Sequence, residues 1–160
     1  MYIKQKELLA GLDRQFLKQI MDATERKTYR KGDLVFHEGN HASRFYVLMR
    51  GRVNLTVGGT HQTVFTVNHA GEAFGWSSLL GHNVYAATAR CAEPTLLLRI
   101  DRVKFNMILD QHPANGLILI RRLGVMLGHR LHEAYKMIDS GSEFSTSYGT
   151  GQLMEETPRV

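Results

Sequence analysis

The sequence is poor in cysteine and has no long apolar run, and both shortages exclude classes of protein. Cys91 is the only cysteine in 160 residues. An intramolecular disulfide, a four-cysteine iron–sulfur cluster and a cysteine-rich zinc site are therefore excluded. No apolar run approaches the roughly 18 residues of a membrane span, and the stretch 117–126 is interrupted by Arg121 and Arg122. The amino terminus also lacks the apolar segment of a signal peptide. We therefore expect a soluble, cytoplasmic protein without a membrane span.

The charge balance shows only a mild basic excess. The formal net charge is +5, and most of the excess lies in residues 1–31. Such an excess predicts a solvated helix face, with a patch for nucleic acid or anionic membrane as the alternative that composition leaves open. The apolar fraction of 43% is enough for one domain with its own core. The chain is too short for a second, catalytic domain.

One domain is expected over residues 1–139, and the pattern of apolar residues changes along it. Apolar residues at spacings of three and four predict one or two amphipathic helices within residues 1–28. Short β-rich runs separated by glycine then favour an antiparallel barrel or jelly roll over residues 29–105. The runs are Leu34–His37, Phe45–Met49, Val53–Val57, Thr63–Val67 and Leu96–Ile100. The predicted fold class is therefore mainly β with flanking helices.

A single long helix is predicted from Pro113 to Ile138. It carries a heptad seam and a second apolar stripe of Leu119, Leu123 and Met126 on another face. A helix covered on one face by its own barrel needs only one stripe, so the other predicts a partner, most simply the same helix of a second subunit. Burial of the whole helix within one subunit is the alternative. The predicted homodimer interface is the seam: Leu117, Ile120, Gly124, Leu127, Leu131, Ala134 and Ile138.

Residues 140–160 are rich in serine, glycine and threonine. This composition predicts a disordered tail. About 20 polar residues cannot form the three-helix unit of a helix-turn-helix reader. Direct binding of DNA is therefore not expected.

Four glycine-containing segments follow one another in the β-rich region: Lys31-Gly32-Asp33, Glu38-Gly39-Asn40, Arg50-Gly51-Arg52 and Gly71-Glu72-Ala73-Phe74-Gly75. With the stretch 71–88, which ends in Tyr-Ala-Ala-Thr, they cover about residues 29–105. This pattern resembles the cyclic-nucleotide-binding domain family, the sensory domain of catabolite activator and of kinase regulatory subunits. The resemblance implies an eight-stranded jelly roll with helices at both ends. It also implies that residues 71–88 are a phosphate-binding cassette.

The cassette departs from the pattern of the resembled family at two ligand-contacting positions. That family has Phe-Gly-Glu, a short apolar helix and Pro-Arg-Ala-Ala-Thr, in which Glu takes a ribose hydroxyl and Arg pairs with the cyclic phosphate. Here Trp76 stands in the Glu slot and Tyr85 in the Arg slot. An indole offers no acceptor, and a phenol offers one neutral donor. Since each charged hydrogen bond contributes about 1.5 to 3 kcal/mol, weak or absent binding of cyclic AMP and cyclic GMP is predicted.

The cassette retains the means to attract an anion. A short helix from Trp76 to Leu80 would present the N–H groups of Gly75, Trp76 and Ser77, with added hydroxyls from Ser77 and Ser78. Trp76 and Tyr85 either fill an abandoned pocket or line a pocket for a flatter anionic or aromatic ligand. The candidate ligand-binding residues are Phe74, Gly75, Trp76, Ser77, Ser78, Tyr85, Ala86, Ala87 and Thr88.

Three cationic side chains are candidates to replace the missing arginine. Arg90 follows Tyr85 by an odd number of residues, so on a strand its side chain faces the opposite way. Arg44 and His82 can enter the site only from loops, which the sequence does not decide.

Metal and enzyme chemistry find little support in the sequence. His37, Glu38 and His41 lack the His-x-His order of a cupin metal site, so no metal or other cofactor is predicted. Haem ligation by a histidine or by the Cys91 thiolate stays open. Ser77 does not lie in Gly-x-Ser-x-Gly, so no nucleophile elbow is present, and no catalytic residue is assigned.

The function predicted first is a non-enzymatic small-molecule sensor or regulatory module with a divergent cassette. Its ligand would be an unknown small molecule, anionic or aromatic. The first alternative is a ligand-free protein interaction or dimerisation module, which implies a protein partner. The second alternative is a regulatory protein that does bind a cyclic nucleotide. A ligand bound only by the folded state would raise the melting temperature and so separate these readings.

Overall fold

A computed structural model describes residues 8–59 and 62–147, and the side chains of these residues as far as residue 140. The strands are β1 (Thr24–Tyr29), β2 (Leu34–Phe36), β3 (Arg44–Arg50), β4 (Val53–Val57), β5 (Gln62–Val67), β6 (Ala73–Phe74), β7 (Thr88–Cys91) and β8 (Thr95–Asp101). The helices are α1 (Arg14–Ala23), α2 (Arg102–Gln111) and α3 (Pro113–Ser147), with a 3-10 turn at Trp76–Ser78.

The strands form two four-stranded antiparallel sheets. The first sheet has the order β1-β8-β3-β6, and the second has the order β2-β7-β4-β5. This is a jelly-roll-like arrangement. The predicted fold class, a mainly β domain with an amino-terminal helix and a long carboxy-terminal helix, is confirmed.

Two cores lie on opposite sides of the first sheet. Successive side chains of a strand face opposite ways, so Tyr46 points between the sheets while Phe45 points outward. The inner core fills the space between the two sheets. The outer core joins the first sheet to the helices through Phe16 and Ile20 of α1, Phe105 of α2, and Leu119, Leu123 and Met126 of α3.

Residues 24–28, which were predicted as part of the amino-terminal helices, form most of β1. The helical periodicity ends at α1, and the following residues are charged rather than alternately apolar. They pair with β8 at the edge of the first sheet, where Arg99 Nη2 lies 2.7 Å from Glu25 Oε2. Edge strands carry charged side chains because one side of the strand is open to water. The prediction was therefore wrong here.

The five predicted strands agree with β2, β3, β4, β5 and β8 to within a residue at each end. The short strand β6 and the helix α2 were not predicted, and of β7 only the position of Arg90 on a strand was expected. Strand β6 has only two residues, too few to show any periodicity. Helix α2 begins at the N-cap Asp101, whose Oδ1 accepts from the N–H of Val103 at 2.9 Å.

Helix α3 continues past the predicted end at Ile138 to Ser147. Its first eight residues beyond 139 lie where the composition predicted a disordered tail, and residues 148–160 lie outside the described residues. Extending a formed helix fixes one residue for each hydrogen bond gained, so propagation tolerates poor helix formers better than nucleation does. Ser140 fits into the helix because its hydroxyl donates to the Lys136 carbonyl at 2.6 Å. Within the described ranges, none of the helices has both the length and the apolar character to cross a membrane.

Candidate functional site

The cassette turns sharply at Gly75, directly after β6. Gly75 has φ +79° and precedes the 3-10 turn. A Cβ there would lie 3.1 Å from the Arg44 carbonyl oxygen and 3.1 Å from a ring carbon of Tyr46. Both the backbone conformation and the close approach of Tyr46 therefore require glycine.

The turn after Gly75 is shorter than the predicted helix. It spans only Trp76–Ser78, and the hydroxyl of the buried Ser78 donates to the Gly75 carbonyl at 2.8 Å. A single turn sums few peptide dipoles. The expectation of an anion at the N–H groups of Gly75, Trp76 and Ser77 therefore loses most of its physical support, and the Ser78 hydroxyl is already engaged.

Tyr85 lies inside the barrel with only 4% of its surface exposed. Its ring stacks on Phe36 with centroids 3.8 Å apart and an interplanar angle of 14°. Its hydroxyl donates to the Arg44 carbonyl at 2.7 Å and accepts from the Arg44 N–H at 3.0 Å. The side chain that stands in the arginine slot therefore fills the barrel interior and has both hydrogen-bonding functions satisfied.

The backbone around Tyr85 is held just as firmly. The Tyr85 N–H donates to the Asn40 carbonyl and the Tyr85 carbonyl accepts from the Gly39 N–H, both at 2.9 Å. The isolated bridge between His41 and Val84 continues the same pairing. The second half of the cassette is thus joined to the loop that precedes β3.

Aromatic rings surround Tyr85 within the inner core. Tyr46 stacks on Phe74 at 5.2 Å, and Phe36 contacts both Tyr46 and Phe74. Burial raises the pKa of Tyr85 and of Tyr46, so both phenols are neutral at physiological pH. Among the described residues, no lysine, arginine or histidine is fully buried. This part of the barrel offers an apolar, uncharged interior.

Trp76 lies on the other side of Gly75, outside the barrel. Its indole packs on the outer face of the first sheet, edge-on to Phe45 with centroids 5.5 Å apart. Tyr85 belongs to the inner core instead. The structure therefore does not bring Trp76 and Tyr85 together in one pocket, as both interpretations from the sequence had assumed.

The other candidate residues divide between structural and exposed positions. Phe74 is fully buried, Ser77 and Ala87 are half-buried and Ala86 is exposed. The hydroxyl oxygen of Thr88 accepts from the Glu38 N–H at 3.0 Å. Thr88 thereby ties the end of the cassette to the loop after β2.

None of the three candidate cations replaces the missing arginine. Arg90 faces outward as the strand alternation predicted, and its Nη1 donates to the Gly32 carbonyl at 2.7 Å. Arg44 and His82 are exposed. Arg44 contributes its backbone to Tyr85, not its guanidinium.

The sequence reasoning missed Arg130, which reaches the cassette from α3. Its guanidinium carbon lies 4.5 Å from the centroid of the Phe65 ring and 5.9 Å from that of Trp76. A signal was present, because Arg130 continues the buried stripe Leu119, Leu123 and Met126 at a spacing of four. That stripe predicts the face toward the barrel, and its next member is a cation.

Arg130 is charged but poorly hydrated. Burial lowers its pKa to about 10, while the negative charge of Glu72 acts in the opposite direction, so the guanidinium remains protonated at neutral pH. Arg130 Nη2 and Trp76 Nε1 are both buried, and neither has a hydrogen-bond partner among the described residues. The buried Glu72 carboxylate accepts instead from the N–H groups of Asn68 and His69, at 2.9 and 2.8 Å.

Metal ligation gains no support from the geometry. In the ranges 8–59 and 62–140, no three histidine, cysteine or acidic side chains are grouped so that they could hold a metal ion. The Glu38 carboxylate accepts from the Gly58 N–H at 2.8 Å. Burial raises the pKa of Cys91, which favours the thiol over the thiolate that would ligate haem iron.

The seam residues of α3 lie mostly on its uncovered face. Leu117 is 52% exposed, Leu131 51% and Ile138 68%, and Ile120 and Gly124 are also exposed. Leu127 and Ala134 are half-buried. The stripe Leu119, Leu123 and Met126 is buried against the barrel. The barrel thus covers one of the two apolar stripes and leaves the other open.

Comparison with known proteins agrees with this architecture. The family model described as the cyclic nucleotide-binding domain matches residues 26–112. The chain belongs to the cyclic nucleotide-binding domain family. Other proteins of similar sequence include the cAMP-dependent protein kinase regulatory subunit of Dictyostelium discoideum, 28% identical over 112 residues. The human cGMP-dependent protein kinase 2 is 31% identical over 109 residues.

Both relatives are longer than this chain. The match covers 67% of this chain and 34% of the Dictyostelium subunit, and 66% of this chain and 14% of the human kinase. The crystal structure of the Thermus thermophilus catabolite activator protein superposes with a TM-score of 0.66 at 26% identity. That superposition covers 84% of this chain and 62% of the activator.

Proposed function

We propose that this chain is a non-enzymatic regulatory domain that does not bind cyclic AMP or cyclic GMP tightly and that acts through α3. The observation that carries the proposal is the position of Tyr85. Its ring is stacked on Phe36 and its hydroxyl is bonded to both backbone groups of Arg44. A nucleotide phosphate entering this position would have to displace a buried ring and leave the Arg44 backbone groups unpaired.

The electrostatics of the barrel point the same way. A guanidinium gives a phosphate two charge-assisted hydrogen bonds, whereas Tyr85 is neutral and already engaged. Losing such bonds costs several kcal/mol, at about 1.5 to 3 kcal/mol each. A micromolar site would then become a millimolar one, since each 1.4 kcal/mol changes affinity about tenfold.

Helix α3 is the element through which we propose that the domain acts. Its exposed stripe is apolar and runs parallel to the buried stripe along the same helix. Apolar stripes of this kind on surface helices are covered by a partner. A homodimer through the seam is the simplest arrangement, and a different protein partner is the alternative.

Sensing of a small molecule is the second candidate function. It is favoured by one observation, the two buried donors Arg130 Nη2 and Trp76 Nε1. Trp76 packs against the outer core and Tyr85 lies in the inner core, so the burial of Tyr85 does not exclude this candidate.

Calorimetry with cyclic AMP and cyclic GMP tests the proposal. We expect the parent chain to show dissociation constants in the millimolar range or no binding, and a submicromolar constant would overturn the proposal. Tyr85→Arg returns a cation to the arginine slot inside the barrel and should introduce measurable binding if the rest of the barrel is competent. Tyr85→Phe, which keeps the ring but adds no cation, is the matched control and should bind no better than the parent. If Tyr85→Arg folds and binds nothing, the barrel is closed by more than the Tyr85 ring, which favours the ligand-free module.

A further inference from the structure

Two buried hydrogen-bond donors lie where α3 meets the cassette. The guanidinium carbon of Arg130 lies 4.5 Å from the centroid of the Phe65 ring and 5.9 Å from that of the Trp76 ring, and the indole N–H belongs to that same Trp76. Both Arg130 Nη2 and Trp76 Nε1 are buried without a hydrogen-bond partner among the residues described. Buried polar groups are nearly always paired, so two neighbouring donors without an acceptor need an explanation. An acceptor supplied by a ligand would satisfy both.

The chemistry of this place selects the ligand. The one guanidinium carries one positive charge and matches the planar geometry of a carboxylate, while the indole contributes a neutral donor. The buried carboxylate of Glu72 acts electrostatically on Arg130 and disfavours a ligand of higher negative charge. The rings of Phe65 and Trp76, both close to the Arg130 guanidinium, give apolar contacts that suit a flat hydrophobic ligand body.

We propose that Arg130 and Trp76 form a binding site for a monoanionic carboxylate carried by a flat apolar molecule. The inference rests on the proposed regulatory function in one respect, because it names the ligand class to which α3 would respond. Its place differs from the slot of the cyclic phosphate. Trp76 lies in the outer core and Tyr85 in the inner core, on opposite sides of Gly75, so Tyr85 can stay where it is when the carboxylate binds.

The site also connects ligand binding to the exposed face of α3. Arg130 is adjacent in the chain to Leu131, which is 51% exposed on the seam. A carboxylate that draws Arg130 toward Trp76 holds this part of α3 against the cassette. Occupancy of the site and the position of the seam are therefore linked through a single helix.

The protein carries its own reporter for this test, because Trp76 is its only tryptophan. Benzoate is the probe, with acetate and inorganic phosphate as comparison anions. We expect benzoate to change the Trp76 emission saturably and to raise the melting temperature. Phosphate should bind at least about tenfold more weakly than benzoate, since its second charge is disfavoured beside Glu72.

Variants assign the effect to the two donors. Arg130→Met should weaken benzoate binding at least about tenfold, the loss of a charge-assisted pair. Arg121→Met, which removes an exposed arginine of the same helix, should leave it unchanged. Trp76→Phe keeps an aromatic ring but removes the N–H, and calorimetry should show a several-fold loss of benzoate affinity. If Arg130→Met does not fold, Arg130→Lys is the alternative variant. It retains the positive charge but lacks the planar pair of N–H donors, so it should still weaken benzoate binding.

Three results would overturn the inference. They are the absence of saturable benzoate binding to the parent chain, equal affinity in Arg130→Met and the parent, and phosphate binding as tight as that of benzoate. The outcome is separable from that of the proposed function. A chain that binds benzoate and also binds cyclic AMP tightly contradicts only the proposed function, whereas a chain that binds neither contradicts only the present inference.

Discussion

The hydroxyl of Tyr85 joins residues 41 positions apart, because both of its hydrogen bonds go to the backbone of Arg44. Tyr85 therefore does more than occupy volume: it pairs an N–H and a carbonyl at the start of β3. A phenylalanine would keep the stack on Phe36 but provide neither partner. The hydroxyl of this one residue can thus be separated experimentally from its ring.

Tyr85→Phe should lower the free energy of unfolding by about 1 to 3 kcal/mol, the cost of leaving buried polar groups unpaired. Urea denaturation followed by circular dichroism measures the change. Tyr135→Phe removes a hydroxyl from an exposed residue of α3, 59% of whose surface is accessible, and is the matched control with little expected effect. Equal stability of the two variants would contradict the role given to the Arg44 bonds.

The buried phenols also predict how stability depends on pH. Burial raises the pKa of Tyr29, Tyr46 and Tyr85 above the ordinary value of about 10. Above that pH the unfolded chain loses these protons before the folded chain does, so the folded state binds more protons. Stability is therefore fully present below about pH 10 and falls as the pH rises beyond it. Urea denaturation at a series of alkaline pH values, compared with the phenolate absorbance of the folded protein, tests this. Titration of all tyrosines at their ordinary pKa in the folded protein would contradict it.

At the scale of elements, the turn between β3 and β4 depends on Gly51. Its φ is +109°, and a Cβ there would lie 2.5 Å from Thr95 Oγ1 and 2.7 Å from the Pro94 carbonyl oxygen. The Thr95 hydroxyl is itself engaged, donating to the Glu93 carbonyl at 2.8 Å. The connection between β3 and β4 and the start of β8 thus pack together without room for a side chain.

Gly51→Ala should destabilise the protein by about 3 kcal/mol or more, because backbone strain and overpacking act together. Gly39→Ala is the matched control. Gly39 also has a positive φ, +82°, but open space surrounds its Cβ position, so only the conformational cost of about 1 to 2 kcal/mol is expected. Thermal unfolding of both variants separates the steric contribution. A loss of stability in Gly51→Ala no larger than that in Gly39→Ala would show that the turn adapts to the added side chain.

At the scale of the whole molecule, the open stripe of α3 leads to a prediction of the state of assembly. A monomer would leave Leu117, Leu131 and Ile138 more than half exposed along one helix. We therefore expect sedimentation to show a dimer at tens of micromolar, a concentration at which association of moderate affinity is populated. A monomeric parent chain would contradict the proposed seam.

Replacing Leu117 and Leu131 with lysine should produce monomers, because each subunit would bring two charges into the seam. Both side chains are exposed in the single chain, so the fold should remain intact, as circular dichroism can show. Val125→Lys is the control, since Val125 is 52% exposed on α3 but lies off the seam. Dissociation by Val125→Lys as well would place the interface on a different face.

The spacing of apolar residues and the order of the glycines, both visible in the sequence, determined most of the predicted secondary structure and the fold class. Five strands, the long helix and the two stripes of α3 follow from local patterns, because alternation and spacings of three and four report which face of an element is apolar. The exchanged residues Trp76 and Tyr85 were also visible from the sequence. Strand β1 was not, since an edge strand with charged side chains has no apolar alternation.

Only the tertiary structure decided where the exchanged side chains point. Trp76 and Tyr85 flank the same cassette, but Trp76 packs on Phe45 outside the first sheet while Tyr85 stacks on Phe36 inside the barrel. Arg130 approaches Trp76 from 54 residues further along the chain. Contacts of this kind depend on how the elements pack, and local periodicity carries no information about which distant residue completes a site.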